Sequence, residues 1–354
     1  MEQKRHWRIS SKNRETPDSV TLRLEPTDGR PVAYLPGQYL PLIRTINGRE
    51  ERRAYSFSSC PGLDNQPAIT IKRVPNGLFS NWLVQESQPG DLLLSAAPAG
   101  QFLLPTQAPR HLIYLAAGSG ITPIFSHLKK LLELGLFPDT SIALFYANRD
   151  SANTIFKKQI DQWVHTFPGR FSCTYFLSRE KAVENALFRH LGNALFERET
   201  LRALGGKLTP GILKNTQIYL CAPVALMRMA QMTLGVLDFP KENIHQETFV
   251  PERQQPLRTI DTSQTHHIAV TDRTGARTEF DIYAGETILN GALRQGIDLP
   301  YTCKTGVCLS CLARCVHGNV EVQFVEQTRH EGPGALINTC IGYPVSPTVE
   351  LVYD

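Results

Sequence analysis

Four of the eight cysteines are placed so that they could hold iron. Cys303, Cys308 and Cys311 are spaced C-x4-C-x2-C, and Cys340 supplies a fourth thiol further along. This is the spacing of a plant-type [2Fe-2S] cluster. Two irons need four thiolates. Three closely spaced cysteines can surround one cluster only from a loop whose backbone N–H groups point at the sulfurs, and Gly306 and Ser310 are small enough to leave those groups free to donate. Zinc is the other occupant of clustered thiolates, but its sites are usually built from two C-x2-C pairs, a form this segment lacks. Cys315 falls outside the spacing and reads as a core or surface thiol.

A second constellation is Ala117-Gly118-Ser119-Gly120-Ile121-Thr122-Pro123, between an apolar run and a helical pattern. A glycine-rich strand-to-helix turn lets a dinucleotide pyrophosphate approach backbone amides. The short G-x-G alone is a weak signal. A third is Arg52-Arg53-Ala54-Tyr55-Ser56-Phe57-Ser58-Ser59, with Gly77-Leu78-Phe79-Ser80 beyond it, which taken alone reads as a polar strand end and a helix start. Hydrolase chemistry has no support: the ten histidines form no H-E-x-x-H pattern, and no G-x-S-x-G elbow occurs. His111, His127 and His245 read as surface or core residues.

The elements that must position these groups fall into three blocks. Residues 1–107 read as short strands between turns, at Ser19–Leu24, Tyr39–Ile43, Ala68–Val74 and Leu92–Ser95, with one helix over Ser80–Gln85. That pattern predicts a small antiparallel β-barrel or sandwich. Residues 108–250 alternate strands (His111–Ala117, Ser141–Tyr146, Ser172–Leu177, Gln217–Cys221) with helices (Pro123–Leu134, Thr154–His165, Val224–Leu234), the last helix closing the block, and so predict a parallel α/β domain. From Pro251 to His267 no hydrophobic period is seen, so residues 251–264 are expected to be a linker. Residues 265–354 open with a hairpin around Thr274-Gly275, from His267–Asp272 to Arg277–Ile282, followed by a helix over Thr287–Gln295.

At 354 residues, with 42% hydrophobic and 20% charged residues, the chain is ordinary globular material, long enough for two or three domains. A net charge of +4 without long basic runs disfavours a nucleic-acid partner. Apolar stretches reach only about ten residues, short of the roughly 20 that span a bilayer, so no membrane span is expected. The first residues show no secretory pattern, which together with clustered thiols predicts a cytoplasmic protein.

Taken together, the motifs resemble the ferredoxin-reductase family. Arg53-x-Tyr55-Ser56 and Gly77 to Ser80 are similar to its flavin-binding segments, Gly118 to Pro123 to its nicotinamide turn, and Cys221-Ala222-Pro223 to its cysteine-glycine-proline motif, with Ala222 in place of the usual Gly. The stretch Ile288 to Cys311 resembles plant-type ferredoxins of β-grasp fold, with Leu309 where a small residue is more usual. The order of flavin, nicotinamide and ferredoxin blocks is that of oxygenase reductase components, among them the reductase subunits of phenylacetyl-CoA epoxidases; hybrid-cluster-protein reductases and phthalate-type dioxygenase reductases are further away.

The resemblance implies an NAD(P)H-dependent oxidoreductase that passes electrons through FAD to a [2Fe-2S] cluster and on to a redox protein partner, an oxygenase. It implies that Arg53 pairs with the flavin phosphate, Tyr55 covers the isoalloxazine and Ser56 hydrogen-bonds near its reactive nitrogen. Gly77, Phe79 and Ser80 would hold the FAD pyrophosphate, and Phe249, at the end of Gln246-Glu247-Thr248-Phe249, would close over the flavin. Gly118, Gly120 and Thr122 would hold the dinucleotide, with Cys221 and Pro223 near the nicotinamide. Arg149, Ser178 and Arg179 offer a hydroxyl and guanidinium groups for a 2′-phosphate, which favours NADPH over NADH. Cys303, Cys308, Cys311 and Cys340 would be the metal ligands, and no side-chain acid or base is needed. Two other readings stay open: a reductase serving a desaturase or hybrid-cluster protein, and a nonenzymatic iron–sulfur electron carrier.

Overall fold

The computed structural model describes residues 4–46, 49–74, 78–180, 186–187, 191–249, 259–301, 306, 310–323 and 328–353. Gly77, Cys303, Cys308, Leu309 and most of the expected linker lie outside the described residues. The chain divides into two compact units, Lys4–Phe249 and Val250 to Asp354.

The first unit opens with β1 (Arg5–Thr16), β2 (Ser19–Pro26), β3 (Tyr39–Ile46), β4 (Arg49–Ser56), β5 (Ala68–Lys72) and β6 (Leu92–Ser95). Alternation in β2 turns Val20, Leu22 and Leu24 inward, where they meet Trp7, Ile9, Leu40 and Leu42. The strands form one antiparallel sheet in the order β4-β3-β6-β1-β2-β5. A bridge from Phe57, just past β4, to Ile69 of β5 joins the two edges and gives the expected barrel. The predicted helix is α1 (Leu78–Asn81) continued by a π-helical turn over Trp82–Glu86, which ends where Ser87 N–H donates to the Trp82 carbonyl.

The same unit continues with β7 (His111–Ala117), α2 (Ile121–Leu128), β8 (Ser141–Asn148), α3 (Lys157–Thr166), β9 (Phe171–Leu177), β10 (Ala186–Leu187), α4 (Asn193–Ala203), α5 (Pro210–Lys214), β11 (Thr216–Cys221), α6 (Val224–Val236) and β12 (Ile244–Gln246). The sheet is parallel, in the order β10-β9-β8-β7-β11-β12, with apolar clusters on both faces. Two expectations are corrected. α2 begins at Ile121 rather than Pro123, because a proline in the first turn lacks only an N–H that would have no helical partner anyway. α6 does not close the domain: β12 follows and pairs with β11, a strand of three residues and too short to show a period in sequence.

The second unit holds β13 (Asp261–Thr271), β14 (Arg277–Ala284), α7 (Ile288–Arg294), β15 (Leu312–His317), β16 (Val320–Gln323), β17 (Thr328–Glu331), β18 (Leu336–Asn338), β19 (Gly342–Pro344) and β20 (Thr348–Val352). A five-stranded mixed sheet, β14-β13-β20-β15-β18, carries α7, and β17-β16-β19 form a small second sheet. The hairpin and helix lie where the sequence predicts. Thr287 caps α7 by accepting from the Asn290 N–H, and Gly291 lets α7 sit against Ile282, where a Cβ would fall 2.1 Å from the Ile282 side chain. β13 starts at Asp261 instead of His267, because its polar first half is exposed and so carries no alternation to read.

Candidate functional site

The parallel sheet reverses its strand order between β7 and β11, and in such sheets ligands bind outside the strand ends at that reversal. The glycine-rich turn follows β7 there and Cys221-Ala222-Pro223 follows β11. They are in contact: a Cβ on Gly120 would lie 1.9 Å from the Cys221 carbonyl oxygen, so only glycine lets the turn pass. Gly118 has φ +54° and its carbonyl accepts from the Tyr146 hydroxyl at 3.1 Å, while Thr122 Oγ1 donates to the Ser119 carbonyl at 2.9 Å. Cys221 is buried, which keeps its thiol protonated. The Gln246–Phe249 segment reaches the same strand end, since Glu247 N–H donates to the Leu220 carbonyl; Phe249 itself is exposed.

Beyond β8 and β9 the backbone ladder runs on, with Ser178 N–H donating to the Asn148 carbonyl and Arg179 N–H to the Arg149 carbonyl at 2.8 Å. Arg149, Ser178 and Arg179, the last two about 30 residues from the first, are thereby brought side by side, all exposed at the carboxyl ends of the strands.

On the barrel, β4 places Arg53 and Tyr55 on one face at i and i+2. Tyr55 packs on the barrel core with its ring centroid 6.1 Å from Phe79, and burial raises its phenol, which therefore stays protonated. Arg53 donates to Glu51 at 3.1 Å and to the Arg52 carbonyl at 2.7 Å. Ser80 is buried and accepts from the Val74 N–H at 3.1 Å, and Phe79 lies in the barrel core. The Ser56 hydroxyl is buried with no hydrogen-bond partner among the described residues. An orphaned hydroxyl next to a half-covered tyrosine fits a polar, planar group such as a flavin, because a buried polar group without a partner is destabilising.

Sequence reasoning missed Lys72. A Cβ on Gly118 would lie 3.9 Å from its Nζ, so this barrel lysine, paired with Asp18 at 3.5 Å, stands beside the glycine-rich turn. The only sequence signal was a cation at the end of a β-rich run.

In the second unit Cys311 and Cys340 are buried, with their sulfurs 3.2 Å apart. Two thiolates on one tetrahedral metal at ~2.3 Å stand about 3.7 Å apart, so a small adjustment would let this pair hold a metal together. Thr339 fixes the pair by donating to the Cys311 carbonyl from its hydroxyl at 3.1 Å and its N–H at 3.2 Å. Gly306 (φ +78°) presses on Ile341, where a Cβ would meet the Cδ1 atom at 2.3 Å, so this position requires glycine. No group of three metal-ligating side chains occurs among the described residues, which exclude Cys303 and Cys308. Cys315 is buried, its thiol donating to the His317 carbonyl at 3.4 Å.

Comparison with known proteins matches three family models in sequence: an oxidoreductase FAD-binding domain over residues 6–103, an oxidoreductase NAD-binding domain over 114–232 and a 2Fe-2S iron–sulfur cluster binding domain over 272–345. The chain is 30% identical to one of the subunits of the 1,2-phenylacetyl-CoA epoxidase of Escherichia coli strain K12, over 96% of this chain and 95% of that protein. It is 29% identical to the ferredoxin reductase component of 3-ketosteroid-9-alpha-monooxygenase of Mycobacterium tuberculosis, over 92% and 87% of the two chains. The solved structure of phthalate dioxygenase reductase shares the fold at a TM-score of 0.60 and 24% identity, over 98% of this chain and 97% of that one. No described helix is long and apolar enough to cross a membrane. The chain therefore belongs to the ferredoxin-reductase-type family of reductase components, and as such it is an oxidoreductase that carries electrons from NAD(P)H by way of FAD to a [2Fe-2S] cluster.

Proposed function

We propose that this protein is the NADPH-dependent reductase component of an oxygenase system. The observation that carries the proposal is its likeness, along nearly its whole length, to proteins named as parts of an epoxidase and a monooxygenase. The NADPH preference rests on Arg149, Ser178 and Arg179 standing together beyond the strand ends, where two guanidinium groups and a hydroxyl suit a 2′-phosphate. The working division is residues 1–107 for flavin, 108–250 for the nicotinamide cofactor, a tether from 251 to the start of β13 at Asp261, and the rest of the chain for the cluster. A cytoplasmic setting belongs to the same reading, since cluster thiolates survive best in a reducing compartment.

When bound, FAD accepts a hydride from the nicotinamide and the cluster takes electrons singly; the chain's part is to bind, orient and tune. Arg53 would hold the flavin phosphate, Tyr55 would cover the ring system, and Ser56 would give its unpartnered hydroxyl to the flavin edge. Gly77, Phe79 and Ser80 would form the pyrophosphate segment, and Phe249 would close from the other side. Gly118, Gly120 and Thr122 would carry the dinucleotide, with Lys72 as a nearby cation and Cys221 and Pro223 beside the nicotinamide. Cys303, Cys308, Cys311 and Cys340 would ligate the irons.

Anaerobic stopped-flow reduction tests the reading. NADPH should bleach the flavin band first and the cluster band second, and should do so at lower concentration than NADH. Reconstitution with oxygenase components encoded near this protein should then give NADPH-dependent substrate oxidation. Absorbing cofactors that no pyridine nucleotide reduces would overturn the electron-transfer assignment, and electron delivery only to a desaturase or hybrid-cluster protein would overturn the oxygenase.

A further inference from the structure

The helix that starts at the nucleotide turn is fastened to the flavin barrel at its other end. Three nearby residues do this. Ser126 Oγ donates to the Ser59 carbonyl at 2.5 Å, and Ser59 lies three residues beyond Ser56, where β4, the strand that carries Tyr55, ends. His127 is fully buried, with Nε2 3.0 Å from the Phe102 carbonyl and 3.2 Å from the Pro36 carbonyl. Lys129 pairs with both carboxylate oxygens of Asp64 at 2.9 Å.

The His127 partners assign its tautomer. Carbonyls only accept, so Nε2 carries the proton and Nδ1 is left to accept from the Tyr114 hydroxyl at 3.5 Å. The ring stacks on Phe102 at a centroid distance of 5.4 Å and meets Tyr219 edge-on at 5.3 Å, and the Tyr219 hydroxyl donates to the Leu103 carbonyl at 2.8 Å. On the barrel side the fit leaves no slack: a Cβ on Gly37 would lie 1.8 Å from the Phe102 oxygen and 2.4 Å from His127 Nε2. One imidazole thus ties two separate barrel segments to α2, whose first turn adjoins Gly118–Gly120.

We propose that Ser126 and His127 are positioning residues for hydride transfer, fastening α2 to the barrel so that the nucleotide turn stands at a fixed distance from the strand bearing Tyr55 and Ser56. This rests on the proposed flavin and nicotinamide sites. Near-attack geometry requires reacting atoms about 3–3.5 Å apart, and a misplacement of ~1 Å costs on the order of a hundredfold in rate, so a fastener remote from the chemistry can control it. Neither residue touches either cofactor in this reading. Their loss should therefore slow the transfer without weakening binding.

The test uses the full-length holoprotein, with stopped-flow flavin bleaching by NADPH and by 4-deuterated NADPH. His127→Leu should lower the limiting bleaching rate by roughly tenfold to a hundredfold. Its NADPH dissociation constant, FAD content and cluster absorption should stay near the wild-type values, and its deuterium isotope effect should rise. His127→Gln offers an amide N–H to the same carbonyls and should regain most of the rate. Ser126→Ala, mild enough to fold even where His127→Leu does not, should slow bleaching several-fold at unchanged NADPH affinity. Wild-type bleaching rates in Ser126→Ala, or a loss in His127→Leu that His127→Gln fails to recover, would overturn the inference. Wild-type protein that neither nucleotide bleaches would instead sink the underlying functional reading.

Discussion

The Cys311 and Cys340 sulfurs meet across a turn that Thr339 holds by two hydrogen bonds, whereas Cys315 spends its thiol on a carbonyl of its own strand end. Replacing Cys303, Cys308, Cys311 or Cys340 singly by Ser is expected to remove or destabilise the cluster, with FAD retained in the other unit. Cys315→Ser should keep the visible spectrum, and absorption and iron content measured side by side decide the assignment; cluster loss confined to the Cys315 variant would refute it. At the nucleotide end, Arg179→Ala should weaken NADPH far more than NADH. A charge-assisted contact to phosphate contributes roughly 1.5–3 kcal/mol, which is about tenfold to a hundredfold in affinity. Equal loss for both nucleotides, measured by titration, would remove the case for NADPH.

α2 is the element on which stability and pH meet. Burial pushes His127 from its ordinary value near 6.5 down to about 4, outweighing the two carbonyl contacts that favour the charged ring. Its titratable neighbours are Tyr114 and Tyr219, both raised by burial and neutral, and His245, itself lowered by burial. The folded protein keeps His127 neutral while the unfolded chain binds a proton below pH ~6.5. Stability is therefore fully present above that pH and declines as pH falls toward 4, by up to roughly 3 kcal/mol from this one group. Urea denaturation at pH 7 and pH 4.5 should show a steeper acid loss in the wild type than in His127→Gln, which has nothing to titrate there. His245 remains in both proteins and cancels in the comparison. Identical pH slopes would mean that His127 is not held neutral.

Among the described residues, the apolar clusters of the barrel and the parallel sheet are built from residues within 7–244, and that of the second unit from residues within 268–353. A chain ended at Phe249 loses no described core residue of its own unit. It should still reduce ferricyanide with NADPH, because that needs only the flavin and nicotinamide sites. It should fail to reduce cytochrome c or an oxygenase partner, whose access is expected through the cluster. An unchanged cytochrome c rate in the shortened protein would show that the acceptor docks on the flavin unit and that the cluster is not the exit.

Much of the protein could be read from sequence because the relevant groups are neighbours along the chain. Cys303 to Cys311 and Gly118 to Pro123 are short continuous motifs whose chemistry depends on local spacing, and strong alternation in β2 or a long apolar run in β7 reports burial directly. Signals failed where an element was short or exposed, as in β12 and the first half of β13, because neither places enough apolar side chains on one face to make a period. What only the tertiary structure decided are contacts between residues far apart in sequence: Gly120 under the Cys221 carbonyl, Arg149 beside Arg179, Lys72 beside Gly118, and His127 between two barrel carbonyls. In the sequence His127 is an unremarkable histidine in an apolar helix. Its role follows from carbonyls that reach it only after the barrel and the sheet have packed, since a hydrogen bond's partner is chosen by the fold and not by the residue that makes it.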